Sequence, residues 1–148
     1  MRWGTKRIDL DERKWQSCIS NASQALKFDP NDSDSLGNRG SALAHLNRLD
    51  EALKDLNRAV DLAPGNATSY NNRGMLYCEM NRFRDALVDL NKAIALNPKL
   101  LASYETRCKV LKQLHRYNEA LADANHAIEL GHGKKANSFC HRAATYLH

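Results

Sequence analysis

Paired charges are the strongest chemical signal in this sequence. Three arginines are each followed by an aspartate at one constant separation: the pairs are Arg39 and Asp55, Arg73 and Asp89, and Arg107 and Asp123. A guanidinium fork suits a carboxylate, and a charge that faces a protein interior is costly unless it is paired. We therefore predict three structural salt bridges. A ladder of arginines that binds phosphate is the alternative role for the same side chains.

Amide and ammonium groups form a second set. Asn38 and Asn72 are separated by the same interval as Arg39 and Arg73, and an amide both donates and accepts, which matches a peptide backbone. Lys109 and Lys112 are one helical turn apart, so on a helix both could face one ligand carboxylate. The alternatives are asparagines that only hydrate the surface and a solvated basic face. Three further asparagines also repeat, and we expect them to make local hydrogen bonds: Asn57, Asn91 and Asn125.

Signatures of catalysis and of metal binding are missing from the sequence. The four cysteines form no C-x-x-C pair, the six histidines form no H-E-x-x-H motif, and the seven glycines form no phosphate-binding loop. We expect the cysteines to be reduced packing residues: Cys18, Cys78, Cys108 and Cys140. The chain is predicted not to be an enzyme and to need no metal, cofactor or small-molecule substrate.

An internal repeat of constant period positions these groups. The segment 50–59 (DEALKDLNRA) recurs at 84–93 (RDALVDLNKA) and at 118–127 (NEALADANHA). In the first copy Leu36, Gly40 and Leu43 fall on one face of a helix. A second helical stripe then runs from Leu49 and stops at Pro64. Each unit is therefore predicted to be a helical hairpin that buries its apolar stripes only by stacking.

The repeat resembles the tetratricopeptide repeat family. The family pattern of bulky, small and aromatic residues, then Ala, a bulky residue and Pro, is matched in the first copy by Leu36, Gly40, Leu43, Ala52, Leu56 and Pro64. The second copy has Tyr70, Gly74, Tyr77, Ala86, Leu90 and Pro98. The third has Tyr104, Cys108, Leu111, Ala120 and Ala124, with His132 in place of the proline. The resemblance implies an all-α solenoid of stacked antiparallel hairpins.

The predicted organisation has three complete repeats and two flanking segments. The repeats are placed at 33–66, 67–100 and 101–135, after an N-terminal segment and capping helix at 1–32 and before a helix at 136–148. Trp15, Cys18, Ala22, Ala25 and Pro30 match only a second helix, and Met1 to Lys14 fit a first helix poorly. Phe139, Arg142, Ala143 and Tyr146 match only a first helix. These flanks are either caps or parts of a longer solenoid.

The resemblance also implies where a ligand binds. First helices of the family line a concave groove that holds extended peptides or partner helices. The side chains assigned to that groove are Asn38, Ser41, His45, Asn71, Asn72, Met75, Glu79, Glu105, Thr106, Lys109 and Lys112. Some members clamp the acidic C-terminus of Hsp70 or Hsp90. Of the matching positions Gly37, Ser41, Asn72, Ala102 and Thr106, only Asn72 carries the required side chain, so we do not predict that role.

The predicted function is a scaffold that binds another protein or a peptide. A secretion- or assembly-type chaperone for a specific partner is the first alternative. A nucleic-acid binder, which the net charge of +5 and the basic C-terminal third would suit, and the non-catalytic part of a larger enzyme follow. No apolar run approaches the roughly 18 residues of a membrane helix, and no secretory signal is present, so a cytoplasmic location is expected. The sequence indicates no oligomeric state.

Overall fold

Helices make up the structure wherever it is described. The computed structural model describes residues 5–131, with side chains from residue 10 onward, and this range contains seven helices and no strand. They are α1 (Thr5–Phe28), α2 (Ser33–His45), α3 (Leu49–Leu62), α4 (Ala67–Glu79), α5 (Phe83–Leu96), α6 (Leu101–Gln113) and α7 (Tyr117–Gly131). The predicted all-α fold is confirmed. The helix predicted at 136–148 lies outside the described residues.

The N-terminal helix is longer than its apolar pattern. α1 begins at Thr5, although the second-helix pattern begins only at Trp15. Residues 10–14 are exposed, contain neither proline nor glycine, and consist of good or acceptable helix formers. The helix propensity of these residues therefore extends α1 where packing does not require it. The residues before Trp15 fit the first-helix pattern poorly.

A repeated turn joins the two helices of each hairpin. Asn47, Asn81 and His115 each have a positive φ, of 59°, 58° and 58°. Asparagine and histidine are both enriched in this left-handed conformation relative to other non-glycine residues. The next residue in each turn, Arg48, Arg82 or Arg116, donates its backbone N–H to a carbonyl in the last turn of the preceding helix. The same three arginines form exposed ion pairs with Glu51, Asp85 and Glu119.

The helices form two compact units, divided between Pro64 and Gly65. In the first unit α2 packs against both α1 and α3. In the second unit α4 pairs with α5 and α6 pairs with α7, while α6 also packs against α5 and contacts α4. Each of the seven described helices therefore packs against at least one other helix of its own unit.

A close contact between small and large residues sets the approach of paired helices. A β-carbon added at Gly40 would lie only 2.7 Å from Leu56 Cγ, and one added at Gly74 would lie 2.9 Å from Leu90 Cγ. Leu56 and Leu90 are both fully buried. The glycine is therefore needed at these two positions because a leucine side chain occupies the space of its missing β-carbon.

Candidate peptide-binding site

The Arg–Asp pairs are bidentate bridges within each hairpin. Arg39, Arg73 and Arg107 donate from Nε to one carboxylate oxygen at 2.6, 2.7 and 2.7 Å, and from Nη2 to the other at 2.9, 2.8 and 2.6 Å. The hydrogen bonds to the aspartates raise the pKa of all three arginines above the usual value. The aspartates are buried. Because two donors of each guanidinium are committed to a carboxylate, the geometry favours the structural role over a phosphate ladder.

Arg39 and Arg107 also reach back to the preceding second helix. Arg39 Nη1 donates to Ser23 Oγ on α1 at 3.3 Å, and Arg107 Nη1 donates to Asn91 Oδ1 on α5 at 2.9 Å. Local hydrogen bonding was therefore the wrong expectation for Asn91, since its partner belongs to the next hairpin. The signal was present in the sequence, because Ser23 and Asn91 precede the arginines by the same interval that separates the arginines from the aspartates.

The first helices present most of the predicted site residues to solvent. On α2, Asn38 and His45 are exposed and Ser41 is half-buried. On α4, Met75 and Glu79 are exposed and Asn72 is half-buried. On α6, Lys109 is exposed, while Glu105 and Lys112 are half-buried. All of these side chains are at least partly exposed to solvent.

Two of the predicted site residues are buried instead. Asn71 is 4% exposed, accepts a hydrogen bond from Ser103 Oγ at 3.0 Å, and directs its Nδ2 to Met75 Sδ at 3.6 Å. Thr106 is 8% exposed and donates to the carbonyl of Ala102 at 2.9 Å. Asn71 therefore joins α4 to α6, and Thr106 satisfies its own helix. The sequence around Asn71 could not reveal its burial, because its partner Ser103 lies on another first helix.

The amides of Asn38 and Asn72 differ from that of Asn71. Within residues 5–131, the structure gives neither side chain an intramolecular hydrogen-bond partner. Asn38 accepts only through its backbone carbonyl, from Cys18 Sγ at 3.9 Å. Each of these two amides keeps its donor and acceptor for solvent or a ligand.

An aromatic stack that the sequence did not predict lies at the end of α2. The rings of Trp15 and His45 are 3.9 Å apart between centroids and nearly parallel, at 9°. Lys14 Nζ lies 5.1 Å from the centroid of the Trp15 ring. One face of His45 is therefore covered by α1, which leaves its ring edge and other face toward solvent.

The described cysteines are free thiols. Cys108 is buried, whereas Cys18 and Cys78 are half-buried. Burial raises the pKa of the Cys78 thiol, which keeps it protonated at neutral pH.

Over residues 5–131 no group of three His, Cys, Asp or Glu side chains is arranged to hold a metal ion. No helix in the same range is long and apolar enough to cross a bilayer.

Helical hairpins that repeat at a constant period, each fixed by a buried ion pair, define an α-helical repeat protein. Residues 31–99 match the family model of the tetratricopeptide repeat. The resemblance read from the sequence is thereby confirmed, and domains of this family are protein-interaction modules that typically serve as non-catalytic scaffolds.

Solved structures share this fold. The chain is similar to the tetratricopeptide domain of Arabidopsis OM64, with 29% identity, a TM-score of 0.73, and coverage of 77% of this chain and 95% of that one. It is similar to the first such domain of Spaghetti (RPAP3) bound to the HSP90 peptide SRMEEVD, with 25% identity, a TM-score of 0.74, and coverage of 78% and 92%. MamA, at 22% identity, has the same fold, with a TM-score of 0.78 and coverage of 99% and 85%. A search of curated protein sequences finds no match.

Proposed function

We propose that this protein is an interaction module that binds an extended peptide or partner segment along the exposed faces of its first helices, α2, α4 and α6. The match of residues 31–99 to a family of protein-interaction modules supports the general role. The mode of recognition that we propose is contact with the peptide backbone through Asn38 and Asn72.

The observation that carries this proposal is the contrast among three asparagines. The side-chain amide of Asn71 is hydrogen-bonded to Ser103 and Met75, whereas the amides of Asn38 and Asn72 have no hydrogen-bond partner within residues 5–131. Asn38 and Asn72 also occupy the same slot of successive repeats. An amide that donates and accepts can pair with a peptide unit whatever side chain that unit carries.

The HSP90 peptide held by the Spaghetti (RPAP3) domain does not define the ligand that we propose here. Among the clamp positions, Gly37 and Thr106 are buried, and Ser41 and Ala102 carry no charge. Asn72 alone has the side chain that an acidic C-terminal clamp requires. We therefore propose recognition led by the backbone, with Lys109 and Lys112 adding attraction for a ligand carboxylate.

The test begins with a peptide selected from a random displayed library on the purified chain. The double variant Asn38→Ala, Asn72→Ala should bind this peptide about 30- to 1,000-fold more weakly, since each lost hydrogen bond leaves a partner unsatisfied. Isothermal titration calorimetry measures the affinity, and thermal melting should show little change in folding.

Matched variants sharpen that experiment. Asn118→Ala removes the same amide from an exposed position on the second helix α7 and should leave affinity unchanged. Lys109→Ala with Lys112→Ala should cause a smaller loss that fades as salt is added. The proposal is wrong if the Asn38, Asn72 double variant binds like the unmodified chain while a second-helix variant abolishes binding.

A further inference from the structure

A cleft lies between the two second helices of the first unit, α1 and α3. Both helices pack on α2, but within the described residues their backbones do not approach each other. The cleft has a volume of about 470 Å³, and Leu36 and Arg39 of α2 contribute to its lining. We refer to it as the second-helix cleft. No residue that we assign to the peptide-binding site lines it.

The second-helix cleft carries an excess of positive charge. Lys27 of α1 and Lys54 and Arg58 of α3 line it, and all three are exposed. The other two charged residues of the lining, Arg39 and Asp55, neutralise each other through their bidentate bridge. The cleft therefore holds three positive charges without a balancing carboxylate of its own.

These three cations are not paired with carboxylates elsewhere in the described range. Between residues 5 and 131 the structure shows no ion pair for Lys27 or Lys54. Arg58 Nη2 donates to Asn31 Oδ1 at 2.7 Å, but an amide is neutral and leaves the charge uncompensated. Two exposed carboxylates that are close in sequence do not line the cleft: Asp29 and Asp61.

The second unit repeats the helices of this surface without its charges. The positions of the three cations are occupied there, two repeats later in the chain, by Ala95, Ala122 and His126. Because α5, α6 and α7 fold in the same way with these residues, packing of the helices does not require positive charge at those positions.

A tyrosine of the second unit also takes up the space that is open in the first. Tyr104, at the position of Leu36, is buried and donates to the carbonyl of Pro98 at 2.9 Å. Its ring packs against His126, with 4.6 Å between the ring centroids. The shorter side chain of Leu36 leaves this space to the second-helix cleft, so the open volume and the positive charge occur together in the first unit.

The dimensions of the cleft suit an extended acidic peptide. Lys54 and Arg58 are about one turn apart on α3, or roughly 6 Å along the helix axis. Alternate side chains of an extended chain lie on one side, about 7 Å apart, so carboxylates two residues apart can meet both cations. Lys27 adds attraction from the opposite wall. Leu26 and Leu36 offer apolar surface to the methylene groups of glutamate side chains.

We propose that the second-helix cleft binds an extended acidic segment of a partner protein, with carboxylates at alternate positions that pair with Lys54 and Arg58. Charge complementarity identifies the partner, since three cations surround an apolar floor and no carboxylate of the lining remains free. This surface is formed mainly by second helices and is separate from the peptide site on the first helices.

Fluorescence anisotropy with a labelled peptide of alternating Glu and Ala tests this proposal at pH 8, where an ordinary histidine is neutral. The triple variant Lys27→Ala, Lys54→Ala, Arg58→His carries the residues of the second unit. It should bind at least about tenfold more weakly, because three exposed ion pairs are lost, and the difference should shrink as salt is added. Helical circular dichroism should not change, because the second unit folds with the same residues.

Matched variants separate the cleft from general attraction between charges. Arg84→Ala, Lys92→Ala and Lys99→Ala together remove the same charge from exposed positions of the second unit and should leave the affinity unchanged. Leu36→Tyr fills the cleft as Tyr104 fills the second unit, without any change of charge, and should weaken binding by a similar factor to the cleft triple variant.

Three outcomes would overturn the proposal. They are equal losses in the two triple variants, full affinity in the cleft triple variant, and equally tight binding of a peptide of alternating Gln and Ala. Displacement of the peptide by inorganic phosphate, but not by chloride at the same ionic strength, would assign the cleft to a phosphate group and also overturn it.

This test is distinguishable from that of the peptide site on the first helices. Asn38→Ala with Asn72→Ala, and Lys109→Ala with Lys112→Ala, should leave the affinity for the acidic peptide unchanged. A loss in either double variant that equals the loss in the cleft triple variant would place the acidic peptide on the first helices and contradict the inference.

Discussion

The two hairpins of the second unit fill the same contact between their helices with different pairs of side chains. In α4–α5 the first helix contributes Gly74 and the second contributes Leu90, whereas in α6–α7 the first helix contributes Cys108 and the second contributes Ala124. Leu90 and Cys108 are both fully buried. The contact thus accepts either glycine with leucine or cysteine with alanine, as long as the two side chains together fill the space.

The Arg–Asp ion pair, in contrast, is the same in both of these hairpins. Arg73 with Asp89 and Arg107 with Asp123 have the same residue types, the same two hydrogen bonds and nearly the same lengths. A bidentate ion pair is directional, so it fixes residue type and position, while an apolar contact mainly fixes volume. Three predictions test this difference, in decreasing order of the expected loss of stability.

The largest effect is expected from breaking the buried ion pair. Asp89→Ala should lower the free energy of unfolding by about 3 kcal/mol, because it leaves the half-buried guanidinium of Arg73 without its carboxylate. Asp123→Ala should cost a similar amount in α6–α7. Urea denaturation followed by circular dichroism measures both losses.

Controls for the ion pair are available in the same chain. Asp85→Ala breaks the exposed pair with Arg82 and should cost about 0–1 kcal/mol. Changing both Arg73 and Asp89 to apolar residues should cost less than the two single losses added together. Strictly additive losses would show that the two side chains do not stabilise each other.

An intermediate effect is expected from giving α4–α5 the cysteine and alanine side chains of α6–α7. Gly74→Cys should destabilise the protein by about 1–3 kcal/mol, because its β-carbon would lie 2.9 Å from Leu90 Cγ. Adding Leu90→Ala should restore most of this loss by giving α4–α5 the Cys and Ala arrangement of α6–α7. Thermal melts of both single variants and the double variant measure the recovery. If the double variant is no more stable than Gly74→Cys, the two hairpins do not share one packing rule.

The smallest effect is expected at the contact between hairpins. Asn91→Ala should cost about 1 kcal/mol, since it removes the acceptor for Arg107 Nη1 but leaves both bonds to Asp123 intact. The exposed neighbour Lys92, changed to Ala, should have no measurable effect on the urea midpoint. A loss at Asn91 as large as that at Asp123 would mean that the arginine depends equally on both helices.

Much of the candidate site follows from the sequence, but availability to a ligand does not. Asn71 and Asn72 are adjacent on α4, yet Asn71 is buried against Ser103 while Asn72 keeps its amide without a partner in the described range. Thr106 occupies the same position of its repeat as Asn72, but it is buried and its hydroxyl donates to the carbonyl of Ala102 in the same helix. The position of a residue within the repeat determines which face of the helix its side chain lies on. Whether that side chain is buried depends on the neighbouring helix.

The sequence is enough to predict the hairpin period, the helical stripes and the constant spacing of arginine and aspartate, because these follow from the helical period and recur along the chain. The three-dimensional structure was needed to show the bond from Arg107 to Asn91 and the burial of Asn71. Each of these depends on whether a particular helix from another repeat lies alongside. No pattern within a single repeat contains that information, since packing joins side chains that are distant in sequence.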